Sequence, residues 1–573
     1  MNNKRKKKYF TNSTSLILAI IIAFSLTSFS IQDKHTTKAK RPNEHPRIVN
    51  IINFIRLLEP RDTVVTEQVL YQTVVNQVEL MNKNKLGGTF LLQYDALLDP
   101  RYQKLLKSLP DSSFEIGGWW EIPQPMVENA GLKWRGRYPW DWHADVGFAT
   151  GYTPEEREKL VDVYMKDFKR IFGYYPKSVG SWFIDAHTLN YMHEKYGLVA
   201  SCICRDQIGT DGYTLWGGYW NQAYYPSKIN SYMPAQNESN QISVPIFRML
   251  GSDPVPQYSA TKKIKRQGNF TLEPSYSYTG ADSAWVNYYF KMFTEGECME
   301  FNYVQVGQEN SFTWAGMSKG LELQLPLVAK LRDEGKLQVE TLAKTGQWFH
   351  DRYQTTPATS VTVKEDLPGS DIKTVWFDSR FFRANLLWEK GTFRFTDVHL
   401  FDENFPNDYE TKKGTSNQCF FYTLPFIDGY TTTADKIAGL QLKAVVNGKK
   451  IALTGKDPII DDTKSGKLHI TWPLTSVKGN LIIDINEGQI KLSLESKEPV
   501  NWFLDLDAKD NEASFIKTIT THQVDCQFKE MRYSVAAIKG NFVQPEKGMI
   551  FRITPEKNTM ILDLSRKNHI NIK

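Results

Sequence analysis

The sequence predicts an α/β barrel followed by an all-β sandwich. Two changes of pattern carry this expectation. From Arg47 to about Tyr353, short apolar runs alternate with segments of helical periodicity, the order of a mainly parallel sheet. From about Thr374 the chain becomes β-rich and alternating, with turn signals such as Asn447-Gly448 and Glu487-Gly488 between runs. The chain has 573 residues, 41% hydrophobic and 23% charged, which suits two or three globular domains. That composition excludes collagen-like, coiled-coil and largely disordered classes.

The amino terminus is read first. Lys4, Arg5, Lys6, Lys7 and Lys8 precede an apolar run from Leu16 to Phe24, and Ser28 and Ser30 give a small-x-small pattern. Basic, apolar and small regions in that order predict a secretory signal peptide over residues 1–30. The expectation is a secreted or periplasmic protein with no membrane span after cleavage. The leader supplies five of the six net positive charges, so the body is near neutral and gives no electrostatic case for nucleic acid. Five cysteines remain, of which Cys202 and Cys204 share one strand face, and buried core thiols are expected.

Seven strands are expected in the barrel region, residues 47–353: Ile48 to Ile55, Gly88 to Tyr94, Ser113 to Gly117, Ser178 to Ile184, Leu198 to Cys204, Ser243 to Leu250 and Met299 to Val306. The clearest helix runs from Thr153 to Phe172. Thr153 and Glu156 form a capping box, Pro154 takes the first position, and Gly173 ends it. Further helices are expected over Glu67 to Asn82 and Ser283 to Thr294. No strand is followed by a phosphate-binding glycine motif. Residues 354–373, rich in Thr, Pro and Asp, read as a linker, and 374–573 as the sandwich. That sandwich is a candidate for binding sugar, shaping the cleft rim or holding a homo-oligomer together. Asp397 and His399 share a strand face within it and are not expected to reach the barrel cleft.

Function in parallel barrels gathers at the carboxyl ends of the strands. Polar residues follow each expected strand here: Glu59, Arg61 and Asp62; Gln93 and Asp95; Trp119, Trp120 and Glu121; Asp185 and His187; Arg205, Asp206 and Gln207; Arg248 and Asp253; Gln308, Glu309 and Asn310. Any one acid reads equally as a helix cap or an ion pair; the set points to a site. Tryptophans lie among them, including Trp140 and Trp142 around Asp141 and ahead of His143. Aromatic faces beside carboxylates suit sugar rings. Expected contacts to substrate are Trp119, Trp120, Trp140, Trp142, Arg205, Asn310 and Arg61. Glycosidic cleavage needs a protonated acid and a second carboxylate. Asp185 and Glu309 are the leading pair, with Glu121 and Asp145 in reserve.

The stretch from Glu115 to Ser201 resembles the core of the polysaccharide deacetylase and related glycoside hydrolase superfamily. The resemblance rests on a T-P-E-E-R helix start, F-G-Y-Y-P-K-S-V-G-S-W (172–182), H-E-K-Y-G-L (193–198), and the later Q-V-G-Q-E-N-S-F-T-W (305–314). It implies a distorted (β/α)7 barrel with a following β-sandwich. It also implies a nucleophile after the fourth strand and an acid after the seventh, the places of Asp185 and Glu309. Deacetylases of the group use paired aspartates and two histidines four apart as metal ligands. This chain lacks that spacing, and Asp62, His143 and His187 are the candidates for an altered divalent metal site, with zinc the ion expected. The expected function is an exported glycoside hydrolase-like enzyme acting on an oligo- or polysaccharide. The alternatives are a metal-dependent carbohydrate deacetylase and a non-catalytic glycan-binding protein.

Overall fold

The first barrel strand, Arg47–Ile55, reads R-I-V-N-I-I-N-F-I and is buried along nearly its whole length. A strand apolar on both faces belongs inside a parallel sheet with helices outside it. In the computed structural model that sheet runs Asn302–Val306, Arg47–Ile55, Gly88–Leu92, Phe114–Trp119, Ser178–Gly180, Ala200–Ile203 and Ile246–Arg248, every neighbouring pair parallel. The structure describes residues 45–255, 270–429, 438–507, 513–544 and 550–565, so the expected signal peptide lies outside the described residues. Residues His45–Lys573 form one unit. No helix among the described residues is long and apolar enough to cross a membrane.

The seven strands lie where the apolar runs place them, with trimmed ends. The fourth is three residues, Ser178–Gly180, because the chain leaves the sheet at Ser181. The barrel is distorted at one seam. There Ala223–Tyr224 pairs antiparallel with Ile246–Arg248, and the Asn221 amide donates to the Tyr303 carbonyl (2.9 Å). The helix Pro154–Phe172 carries its capping box, and Gly173 at φ 89° closes it. Its inward face, including Leu160, Tyr164 and Phe168, is buried against the sheet. Helices Glu67–Lys83 and Ser283–Glu295 agree with the expected spans.

The β-rich part contains two large antiparallel sheets. One includes Ile372–Asp378, Phe382–Glu389, Thr392–Leu400, Gly439–Val446 and Asn501–Asp507. The other includes Lys467–Pro473, Gly479–Asn486, Gln489–Ser496, Thr559–Asp563 and Met531–Lys539. Their alternating buried residues form the sandwich core. Residues 354–373 are not a bare linker. Thr359–Val363 is a fully buried strand that pairs with Cys298–Met299 on one side and Ile372–Asp378 on the other. Threonine is β-branched and suits a strand, so a Thr-rich run between turn residues carries both signals. All five cysteines are buried free thiols.

Candidate active site

Strand ends converge on a cavity of about 350 Å³ lined by Arg61, Trp182, Arg205, Glu273, Tyr276, Glu309 and Phe312, among others. Glu309 reaches it because Gly307 turns the chain just after the seventh strand. Gly307 sits at φ 104°, and a Cβ there would lie 2.2 Å from the Ile52 carbonyl oxygen. Asn53 of the first strand then accepts from Gln308 N (3.2 Å) and from the Gln77 amide (3.0 Å). The turn is thereby tied to the barrel interior. Asn310 fastens the same two strand ends together: it accepts from Arg56 N (2.9 Å) and donates to Arg56 O (2.8 Å).

Arg56, immediately after the first strand, is the electrostatic centre. Its guanidinium forks onto Glu121 (2.8 and 2.6 Å) and places Nη1 2.6 Å from Glu309. Gln93 donates to Glu121 at 3.0 Å. The Trp140 ring lies under Arg56, 4.3 Å from centroid to guanidinium carbon. One cation thus faces two buried carboxylates. Burial raises the Glu309 carboxyl to about 7, with Arg56 opposing the rise and Glu121 adding to it. Burial likewise lifts Glu273 to about 7, and the nearby Glu309 adds to that rise. Among the described residues Glu273 makes no ion pair. Two acids on one cavity are therefore both raised toward neutrality by burial, and the charge on Glu309 adds to the rise at Glu273.

The other expected residues divide sharply. Arg61 and Arg205 line the cavity. Trp142 is half-buried beside the Tyr138 ring (6.0 Å), with Arg137 4.6 Å and Arg61 5.3 Å from its centroid. It does not line the cavity and touches it only by supporting the Arg61 guanidinium. Trp119 and Trp120 are core residues instead: Trp119 stacks on Phe54 at 3.7 Å and Trp120 packs edge-on to Tyr164, both almost fully buried. Asp185 also departs from its expected role. It caps the helix Ala186–Tyr196, accepting from Thr188 N (2.9 Å) and Thr188 Oγ1 (2.7 Å), and pairs with the buried Arg157 (3.0 Å). An acid one residue before a helix satisfies otherwise unpaired amides, and that use places it away from the cavity. Glu121 is fully engaged by Arg56 and Gln93, and neither it nor Asp145 lines the cavity.

The metal candidates do not assemble. Asp62 is exposed and accepts from Val64 N (3.0 Å), while His187 faces Glu158 at 3.1 Å on the outside of its helix. His143 is half-buried against Trp142. Among the described residues the one group of three His, Cys, Asp or Glu ligand atoms within 4.8 Å of one another is Asp397, His399 and Asp428, in the β-rich part. The barrel residues Asp62, His143 and His187 therefore do not fit the metal of the resembled deacetylases.

Sequence reasoning missed Arg56, Glu273, Tyr276 and Phe312. Arg56 directly follows the first apolar run, a position that could have marked it. Glu273 sits between Leu272 and Pro274 in a long connection, and an acid between two apolar residues is a weak signal of a buried carboxyl.

No family model matches the chain, and no curated protein does either. Among solved structures it is similar to a Parabacteroides distasonis protein named as a candidate glycoside hydrolase/deacetylase. The identity is 15% and the TM-score 0.51, over 67% of this chain and 92% of that one. It is also similar to candidate polysaccharide deacetylases from Mycobacterium smegmatis and Pseudomonas aeruginosa. Both are 11% identical with a TM-score of 0.34, over 55% and 54% of this chain and 93% of each of those. The chain has a distorted (β/α)7-barrel fold like that of the Parabacteroides distasonis structure, followed by an all-β part.

Proposed function

We propose that this chain is an exported carbohydrate-active hydrolase that cleaves a glycosidic bond at the carboxyl end of its barrel. The observation that carries the reading is the Glu273–Glu309 pair, two buried carboxyls on one cavity, both raised to about 7. Glycoside hydrolysis needs one carboxyl protonated and one ionised at working pH. When one proton is shared, Arg56 at 2.6 Å draws the negative charge onto Glu309. The proton then stays on Glu273. Glu273 is assigned as the acid that protonates the leaving oxygen, and Glu309 as the carboxylate that acts as nucleophile or base. This assignment replaces the Asp185–Glu309 pair expected from the sequence. Trp182, Tyr276 and Phe312 supply apolar walls for a sugar ring, and Arg61 and Arg205 donate hydrogen bonds to its hydroxyls.

The test is a screen of oligosaccharides for reducing-sugar release, run beside acetylated glycans scored for acetate. Glycosidase activity with a bell-shaped pH profile, abolished in both Glu273→Gln and Glu309→Gln, is the expected result. Acetate release without chain cleavage would move the reading to a deacetylase. Glycan binding without turnover would move it to a binding protein.

A further inference from the structure

A second cluster of chemistry-bearing residues lies outside the barrel cavity. Asp397 and His399 project from the strand Thr392–Leu400, and Asp428 follows the strand Leu424–Ile427. Their ligand atoms all lie within 4.8 Å of one another. His399 is fully buried, yet among the described residues its Nε2 makes no hydrogen bond.

The tautomer of His399 follows from its other nitrogen. Thr423 Oγ1 gives its single proton to the Gly217 carbonyl. Its oxygen stands 3.2 Å from His399 Nδ1, so Nδ1 must be the donor there. In the neutral ring Nε2 is then a bare lone pair. It faces Asp397 Oδ2 at 3.6 Å and Asp428 Oδ1 at 3.8 Å. Asp397 Oδ2 and Asp428 Oδ1 accept from Arg383 and Trp216, but neither of those donors serves the Nε2 lone pair, which a cation held by all three atoms would satisfy. A proton on Nε2 does not bridge these gaps, which exceed hydrogen-bond length. Ligands about 2.1 Å from a tetrahedral ion lie about 3.4 Å apart, within a few tenths of an ångström of both distances.

The surroundings hold the ligands in place. Arg383 forks onto Asp397 (2.9 and 3.2 Å), and Trp216 Nε1 donates to Asp428 Oδ1 (3.2 Å). These are the outer contacts that orient a ligand set. Gly217 lies at φ 87°, and a Cβ there would come within 2.2 Å of His399 Nδ1. The chain thus leaves room for the imidazole and little else. The Asp428 side chain is 15% exposed, which gives an entry path and room for a water as fourth ligand.

We propose that Asp397, His399 and Asp428 bind one divalent transition ion, zinc by preference. That ion would clasp the β-rich part to the barrel excursion Tyr213–Trp216. Imidazole with two carboxylates suits zinc and its neighbours, whereas magnesium and calcium take oxygen sets. The site is separate from the Glu273–Glu309 cavity, and the two readings stand or fall independently.

The test uses the whole chain, stripped with a chelator, dialysed and titrated with cobalt(II). Visible absorption reports a tetrahedral nitrogen–oxygen site. The expected result is about one cobalt per chain, displaced by zinc, with thermal stability restored to the stripped protein by zinc. Asp428→Asn alters the most exposed ligand, so its fold should survive. It should weaken binding by more than the about 10- to 100-fold that outer-shell changes cost, and abolish the zinc-dependent stability. His399→Ala should bind no cobalt. Wild-type protein that binds neither ion, or binds both as tightly in Asp428→Asn as in wild type, overturns the proposal.

Discussion

Replacing Glu273 by glutamine separates a buried acid from a solvated one without touching Arg56. Glu273 is 6% exposed, and burial moves its carboxyl from an ordinary 4.5 to about 7. In the unfolded chain it ionises at about 4.3. A folded value above the unfolded one means the protonated acid is favoured by folding. That stability is fully present below about pH 4 and is lost as the pH rises through about 7. The whole effect is about 4 kcal/mol, at about 1.4 kcal/mol for each pH step between the two values. Glutamine keeps the shape of the protonated acid and has no proton to lose. The stability difference between Glu273→Gln and wild type should therefore move in the variant's favour by about 2.5 kcal/mol between pH 5 and pH 8. Urea midpoints followed by tryptophan fluorescence, at constant ionic strength, give this directly. A difference that stays constant over that range would place the Glu273 carboxyl in water and refute the shared-proton reasoning.

The remaining expectations follow from the same geometry. Asp185→Ala removes a helix cap and strands the buried Arg157; it should cost about 3–5 kcal/mol in denaturant unfolding, with turnover per folded molecule retained. Trp119→Ala opens the core between Phe54 and Trp182 and should cost about 3–5 kcal/mol. Trp142→Ala removes the half-buried ring that supports Arg61 and should leave the urea midpoint nearly unchanged while raising KM by about three- to fivefold. Arg56→Lys loses the fork onto Glu121. A single ammonium then serves two carboxylates, and the acidic limb of the pH–rate profile should shift upward.

Much of the scaffold was legible because its signals are local. The helix Pro154–Phe172 announces itself within one turn at each end: Thr153 and Glu156 cap it, Pro154 starts it and Gly173 stops it. The seven barrel strands are short runs buried on both faces, and apolar composition alone marks them. The strand at Thr359–Val363 was hidden, because threonine beside proline and aspartate reads as loop as readily as strand.

The site was only half legible, for a different reason. Glu309 and Asp185 look alike in the sequence, each an acid just past a strand. Whether such an acid is spent on the fold or faces a cavity depends on what arrives from elsewhere: Arg157 at Asp185, Arg56 and Glu273 at Glu309. Trp119 and Trp142 are similarly indistinguishable until Phe54 covers one and the other stays half-buried. Asp397 and His399 stand two apart, but their meeting with Asp428 depends on strand pairing. By itself the sequence determined which segments become strands and helices, since caps, turns and apolar periods act over a few residues. The tertiary structure decided which carboxyls lose water and which gain a cation. Desolvation and Coulomb energy depend on groups from every strand end at once.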